Sequence, residues 1–332
     1  MNANAFLTSW MQGDYETLKA HLHEDVACFG LGEGAMKKVA TLRLLMAYNV
    51  ECVEQVDAYL SYFVATVKIY KKAMVLKLRF AGDQLRGLYA MPLPKTRRLR
   101  IDFSYDGSLY AGFQRQKRQK TVQGTLESAL AGLFNETVFL HAASRTDAGV
   151  HARHQVAHFD IDNPLKVDQI KRLLNGMLPR DIRVASCQEV PPVFHARYDV
   201  CMKTYQYTLV HEDDAFLAHY AHQTPLFDLT RLQRILKQFE GTHNFRNLAK
   251  ADATDTVRTI HAVKAWREED KTFITFEASG FLRHMVRMMV ARALEDVMNN
   301  TNMVETVLKY PNQDVPKPLA PSSGLTLMRI IY

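Results

Sequence analysis

Hydrophobic and polar positions in the first third of the chain follow two periods in turn. A helical spacing comes first, and a strict alternation typical of strands with one buried face comes after it. Helices are predicted at 15–22, capped by Asp14, and at 34–48, and strands at 62–69, 76–80 and 84–91. Helices followed by an antiparallel meander favour a small α+β domain over residues 1–93.

A second set of elements begins after two prolines and a basic run, where we predict a linker at 94–98. The predicted strands lie at 99–103, 137–143, 155–161, 182–190, 204–210, 259–266, 272–278 and 325–332. One helix is predicted to start after the capping residue Thr121. Three more are predicted at 167–177, 229–240 and 281–298. Because strands and helices mix without strict βαβ alternation, we expect an α+β fold with a largely antiparallel sheet over 99–332.

A polar stretch between two of these strands, Ser144–Ala152, brings an arginine, a carboxylate and a histidine close together. Its Ala148-Gly149 pair predicts a turn, since glycine readily takes a positive φ. Loops held at both ends by a sheet often carry catalytic groups. Asp147 can act there as a nucleophile or base beside the charge of Arg145, but an ion pair that only pins the turn explains the same residues equally well.

Length, composition and charge narrow the possible functions. A chain of 332 residues has room for two domains, and its net charge of +7 favours an acidic partner, with nucleic acid as the leading candidate. No apolar run approaches the ~20 residues needed to cross a bilayer, and no signal peptide is recognisable. We therefore expect a cytoplasmic protein without a membrane partner. The four cysteines lack metal-site spacing, which also fits reduced cytosolic thiols.

The sequence lacks the common nucleotide-binding, zinc-protease and serine-hydrolase motifs, so we expect a reaction without a metal or nucleotide cofactor. Two further stretches suit nucleic acid. The basic, glutamine-rich loop 112–120 fits a phosphate backbone, or is simply a solvated loop. Tyr205 and Tyr207 share one face of a strand beside Lys203, where a ring can stack on an extruded base or pack in the core.

A series of motifs follows in order through the larger part of the chain. They are Tyr105-Asp106-Gly107 with Gly112-Phe113-Gln114, Thr121–Gly124 with Leu126-Glu127, Ser144–Ala152, Leu174-Asn175 with Leu178-Pro179, Phe194–Arg197, Lys203–Tyr207, Gly241–Phe245, Thr256–Arg258, Phe281–Arg287 and Gly324-Leu325. In this order they resemble the TruA-type tRNA pseudouridine synthases over residues 99–332.

The resemblance implies isomerisation of uridine to pseudouridine in the anticodon stem-loop of tRNA, at tRNA positions 38–40, without cofactor or metal. It implies that Asp147 attacks the target nucleoside. Arg145 is expected to pair with Asp147 and to fill the gap left by the flipped base. Tyr205 is expected to stack on the uracil and to assist proton transfer, and Arg287 to hold Asp147 through a second ion pair.

The same resemblance implies substrate contacts from Tyr205, Arg115, Arg197 and Arg258. The implied fold has two α/β halves, approximately 99–200 and 201–332, around an extended and mainly antiparallel sheet with a central RNA-binding cleft. A homodimer is expected to grip the tRNA.

Two questions stay open on the sequence alone. Residues 1–93 resemble the NTF2-like domains in their order of elements, and could serve for dimerisation, for binding a small molecule, or for tuning stability or RNA grip. The alternative function is a catalytically silent tRNA-binding chaperone. The intact Asp147, Arg145 and Tyr205 argue against it.

Overall fold

The computed structural model describes residues 2–31, 33–48, 50–250 and 254–332 and arranges their strands in two sheets. The first sheet has six strands and lies within the first 92 residues. Its elements are α1 (Ala3–Gln12), α2 (Tyr15–Ala20), β1 (Leu22–Phe29), β2 (Glu33–Lys37), α3 (Lys38–Ala47), β3 (Val50–Tyr59), β4 (Tyr62–Ile69), β5 (Lys72–Ala81) and β6 (Gln84–Pro92). The strand order is β2-β1-β6-β5-β4-β3, antiparallel except for β1 beside β6.

Three helices cover one face of this sheet and close its core. Phe6 and Trp10 of α1 are fully buried, and the Trp10 Nε1 donates to the Leu45 carbonyl of α3 at 2.7 Å. Asp14 caps α2 as predicted, accepting from the Thr17 amide at 3.2 Å. Such caps satisfy amides that a helix leaves unpaired at its start.

Parts of this sheet escaped the sequence pattern. Strand β3 is exposed along most of its length, so its polar residues show no alternation. Strand β1 carries an irregularity between Leu22 and Ala27, which breaks the period of two. The helix predicted at 34–48 was also wrong at its start, because residues 34–37 belong to β2. Helix α1 was not predicted.

The second sheet has ten strands among the described residues and carries the remaining helices. Its elements are β7 (Arg97–Tyr105), α4 (Val122–Phe134), β8 (His141–Ala142), β9 (His151–Ile161), α5 (Val167–Met177), β10 (Ile182–Val190), β11 (Met202–Val210), β12 (His222–Gln223), α6 (Leu229–Lys237), β13 (Gly241–Asn244), β14 (Val257–Glu268), β15 (Lys271–Ala278), α7 (Met285–Asn299), α8 (Met303–Lys309) and β16 (Leu325–Ile331). The mixture of sheets and packed helices confirms the α+β class.

Strands of this sheet follow the order β10-β7-β9-β16-β11-β15-β14-β13, with β8 on β9 and β12 on β11. All neighbours along the main path are antiparallel except β9 and β16, its third and fourth strands, which pair in parallel. Strands β9 and β11 flank β16, so the polar loop before β9 lies close to the tyrosines of β11.

Strongly periodic elements of this part are confirmed to the residue, namely α5 at 167–177 and β10 at 182–190. Only His141–Ala142 of the strand predicted at 137–143 is formed. The helix predicted at 281–298 begins four residues late, because His284 has a φ of 64° that an α-helix cannot contain. Arg97 and Arg98, expected in the linker, already belong to β7. Among the described residues, no helix is long and apolar enough to span a membrane.

Candidate active site

A cavity of about 1090 Å³ opens between the loop before β9, strand β11 and the start of α7. All seven residues that the sequence predicts for the site line it: Arg115, Arg145, Asp147, Arg197, Tyr205, Arg258 and Arg287. These residues come from distant parts of the chain, so the fold brings the predicted set together in one place. Their individual roles stay predictions.

The side chains of the polar loop differ in how deeply they are buried. Thr146 points inward, and its hydroxyl shares a 2.7 Å hydrogen bond with the Tyr105 hydroxyl in the core. Its neighbours therefore turn outward, with Arg145 exposed and Asp147 half-buried at the cavity. Gly149 has a φ of 77°, which confirms the predicted turn.

Residues 111–113 pack against this loop. The Phe113 amide donates to the Thr146 carbonyl at 3.0 Å. A side chain at Gly112 would place its Cβ 3.0 Å from that same carbonyl oxygen, and the residue has a φ of 94°. Only glycine meets both demands without strain, so Gly112 sets the distance between the two segments.

Asp147 is held from the start of α7. Arg287 Nη1 donates to Asp147 Oδ2 at 3.2 Å, while Arg287 Nε donates to the Ala320 carbonyl at 2.7 Å and so fixes the guanidinium. The Nε2 of His284 lies 3.6 Å from Asp147 Oδ1. The predicted contact between Arg287 and Asp147 is thus present, and it orients the carboxylate toward the cavity.

The predicted pairing of Arg145 with Asp147 stays a prediction. Asp147 Oδ2 is contacted by Arg287, and Asp147 Oδ1 lies near the His284 ring. Arg145 Nη1 donates to Gln114 Oε1 at 3.3 Å. The Thr146 side chain between Arg145 and Asp147 is anchored in the core.

His284 is a site residue that sequence reasoning did not single out. Burial lowers its pKa, the charges of Arg287 and Arg283 act in the same direction, and the Asp147 charge opposes them. The imidazole is therefore uncharged at neutral pH. Its presence in the Phe281–Arg287 motif was the available signal, but the apolar pattern predicted a continuous helix there.

Tyr205 faces the cavity from β11. Its hydroxyl shares a 2.8 Å hydrogen bond with Ser144 Oγ, and its ring packs edge-to-face on Phe281 with 5.2 Å between centroids. Burial raises the pKa of Tyr205 to about 12, which the Asp147 charge reinforces. The phenol therefore keeps its proton at neutral pH. Tyr207, two residues on, is fully buried and donates to the Pro321 carbonyl at 2.8 Å.

Cationic side chains surround the opening of the cavity. Arg115 contacts Glu127 Oε2 at 3.1 Å and Arg258 contacts Asp255 Oδ2 at 3.2 Å, so both are held near its rim. Lys203 is buried, donates to the Ala143 carbonyl at 2.7 Å, and has its pKa lowered to about 8 by burial. A polar cavity with this excess of positive charge suits a polyanion.

Comparison with known proteins adds to this geometry. The family profile described as tRNA pseudouridine synthase matches residues 103–199 and 235–332. These ranges include six of the seven predicted site residues and the whole loop that carries Arg145. The chain belongs to the tRNA pseudouridine synthase family. Its matched parts contain both the polar loop and the start of α7, so the contacts around Asp147 lie within the family's own region.

Several curated relatives share this membership. The chain is 36% identical to tRNA pseudouridine synthase A of Anoxybacillus flavithermus over 244 residues, covering 71% of this chain and 99% of that protein. It is 38% identical to the enzyme of the same name from Limosilactobacillus fermentum, over 71% of this chain and 96% of that protein. The shared part thus spans nearly the whole of these relatives.

A solved NTF2-like protein of unknown function from Cytophaga hutchinsonii covers 27% of this chain and 85% of its own, with 10% identity and a TM-score of 0.23. A TM-score this low does not establish a shared fold. The NTF2-like character of residues 1–93 stays a prediction.

The chemistry open to the cavity depends on the side chains that line it. The described residues contain no group of three or more His, Cys, Asp or Glu side chains arranged to hold a metal ion. The cavity does offer a fixed carboxylate, a protonated phenol, an uncharged imidazole and several cations. Such groups can attack, transfer a proton and bind phosphates.

Proposed function

We propose that the protein isomerises uridine to pseudouridine in tRNA, at positions 38–40 of the anticodon stem-loop, with Asp147 as the attacking group. The observation that carries this proposal is the Asp147 carboxylate, which Arg287 holds at the wall of the cavity in a chain of this family. Tyr205 on β11 faces the same cavity and completes the set.

The reaction requires little beyond these groups. The bond from the ribose C1′ to the uracil N1 breaks, the base turns, and a bond from C1′ to C5 forms while the C5 proton moves to N1. Substrate and product are isomers, so no oxidant, reductant or water is consumed. Asp147 attacks the nucleoside and leaves unchanged, and Arg287 keeps its carboxylate oriented throughout.

Tyr205 supplies the opposite wall of the pocket. A uridine must leave the RNA stack to reach Asp147, and its base needs an apolar surface to replace the lost stacking. The Tyr205 ring provides that surface beside Phe281. Its protonated hydroxyl, paired with Ser144, can pass a proton to or from the base. Arg145, exposed on the loop, fills the gap that the base leaves.

The rest of the tRNA would be bound by cationic side chains and by the cleft between the two halves of the sheet. Arg115, Arg197 and Arg258 line the cavity and would meet phosphates. We propose two halves, 99–200 and 201–332, joined at the β9–β16 pair with the RNA cleft between them. A homodimer, proposed from the family resemblance, is tested by the mass of the purified protein in solution.

Replacing Asp147 by Asn tests the proposed role of this carboxylate. We expect Asp147→Asn to lower turnover on unmodified tRNA by about 10³-fold or more, with the tRNA Kd changed by less than about 3-fold, because the amide cannot attack. Asp160→Asn, at an exposed position of β9, serves as the matched control and should retain turnover. Undiminished pseudouridine formation by Asp147→Asn would overturn the assignment.

A further inference from the structure

We propose that the N-terminal sheet positions Arg197 in the cleft, through Lys77 and Arg79 of β5, which hold the buried carboxylate of Asp199. This inference rests on the proposed function, because it assigns Arg197 to the grip on tRNA. It gives residues 1–93 a task in substrate binding that requires no RNA contact of their own.

Arg197 lies on a segment without regular structure. Residues 191–199 connect β10 to β11 through turns, and Arg197 lines the cavity from this segment. The segment is anchored by its inward-facing residues Val193, Phe194, Ala196 and Asp199, while Arg197 and Tyr198 point outward. The position of Arg197 therefore depends on what holds the anchors.

Asp199 closes a tight ring of hydrogen bonds around Arg197. Its Oδ2 accepts from the His195 amide at 2.9 Å, and its own amide donates to the His195 carbonyl at 3.0 Å. The His195 Nδ1 in turn accepts from the Arg197 amide at 3.1 Å. A shift of the Asp199 carboxylate would therefore be passed to the backbone of Arg197.

The other oxygen of Asp199 is bound from the N-terminal sheet. Oδ1 accepts from Lys77 Nζ and from Arg79 Nη2, the latter at 2.6 Å. Lys77 Nζ also donates to the Val193 carbonyl at 3.3 Å, so it contacts both ends of the segment. Its ammonium lies 4.1 Å above the centre of the Tyr62 ring.

Burial makes this junction rigid. The Asp199 side chain is 1% exposed and that of Lys77 is 10% exposed. An apolar cluster of Tyr62, Val64, Val75 and Val193 encloses them. A carboxylate buried this deeply is strongly disfavoured without its cation, so the segment cannot leave the N-terminal sheet at low cost. The backbone at Arg197 is thereby fixed before tRNA arrives, and a group attached to a fixed backbone loses less entropy on binding.

A double-mutant cycle of Lys77→Met and Arg197→Ala tests the coupling. We expect each single variant to raise the tRNA Kd and KM by about 10-fold, because binding of the tRNA is weakened. The kcat should stay within about 2-fold of wild type, because the chemical step is not affected. The double variant should bind no more weakly than Arg197→Ala alone. Lys72→Met, which removes an exposed lysine from the same strand, is the matched control and should match wild type.

Additive effects in the double variant, or an unchanged Kd in folded Lys77→Met, would overturn the proposal. If Lys77→Met does not fold, the cycle is repeated with Asp199→Asn, which weakens both cation contacts and keeps an acceptor for the His195 amide. The tRNA Kd needs no turnover. An inactive wild-type protein would therefore contradict the proposed function, whereas additive Kd changes would contradict only the positioning role.

Discussion

Burial decides the protonation state of the two side chains beside Asp147. It raises the pKa of Tyr205 to about 12 and lowers that of His284. At neutral pH the phenol is therefore a proton donor and the imidazole is uncharged. Arg287 carries the positive charge that holds the carboxylate, at 3.2 Å. The site thus combines a fixed anion with a neutral acid, which suits attack on a nucleoside followed by proton transfer.

Tyr205→Phe separates the hydroxyl from the ring. The ring still stacks on the base, so we expect KM within about 3-fold of wild type, while kcat falls by about 10²-fold because the proton donor is lost. Tyr207→Phe is the control on the same strand face: it loses the bond to the Pro321 carbonyl and about 1 kcal/mol of unfolding free energy, but keeps kcat. An unchanged kcat in Tyr205→Phe would exclude the hydroxyl from the chemistry.

Sequence motifs predicted which residues line the cavity, but not every contact that they make there. All seven predicted residues line it, and the Arg287–Asp147 contact is present. The contact of Arg145 with Gln114 was not predicted, because it joins residues 31 positions apart in the chain. His284 was missed because a left-handed residue leaves no mark in an apolar pattern.

Close packing of two backbone segments fixes the loop that carries Asp147. Gly112 lies against this loop with a positive φ, and a hydrogen bond from Phe113 to Thr146 joins the segments. The sequence showed the turn at Gly149 because turn chemistry is local. It could not show the role of Gly112, since that depends on a contact between residues more than thirty positions apart.

Gly112→Ala tests this packing. The new methyl group would meet the Thr146 carbonyl at 3.0 Å on a strained backbone, so we expect a loss of about 1–3 kcal/mol in unfolding free energy and a lower kcat. Gly176→Ala is the control, because nothing lies near its Cβ and it sits inside helix α5. Alanine there should stabilise by roughly 0.5–1 kcal/mol. Equal stability of both variants would contradict the packing role.

At the scale of the whole molecule, the segment 191–199 is held from both sheets. Lys77 and Arg79 bind it from the N-terminal sheet, and His158 of β9 accepts the Ala196 amide at 3.1 Å. The sequence predicted the division of strands into two groups from its broken periodicity. It could not predict their contact, because Lys77 and Asp199 carry no periodic signal and meet only in the folded chain.

This junction makes stability depend on pH. Burial lowers the pKa of His158 to about 2 and that of His195 to about 4, and the charges of Arg98 and His141 add to both effects. In the unfolded chain both rings titrate near 6.5. As the pH falls from 6.5 towards 4, the unfolded state therefore binds more protons than the folded state, and the free energy of unfolding decreases.

Denaturant unfolding between pH 7.5 and pH 4.5 measures this slope. We expect up to about 1.4 kcal/mol per pH unit from the buried His158 and less from the half-exposed His195, where solvent screens the charge. His158→Gln should flatten the slope, whereas His261→Gln, at an exposed position of β14, should keep it. Parallel slopes in wild type and His158→Gln would contradict the effect.

The most direct measurement maps pseudouridine at each nucleotide of an unmodified tRNA incubated with the 332-residue protein. We predict pseudouridine at positions 38–40 of the anticodon stem-loop with the wild-type protein and none with Asp147→Asn. Pseudouridine confined to another part of the tRNA would contradict the proposed substrate site. Equal amounts with both proteins would contradict the role of Asp147.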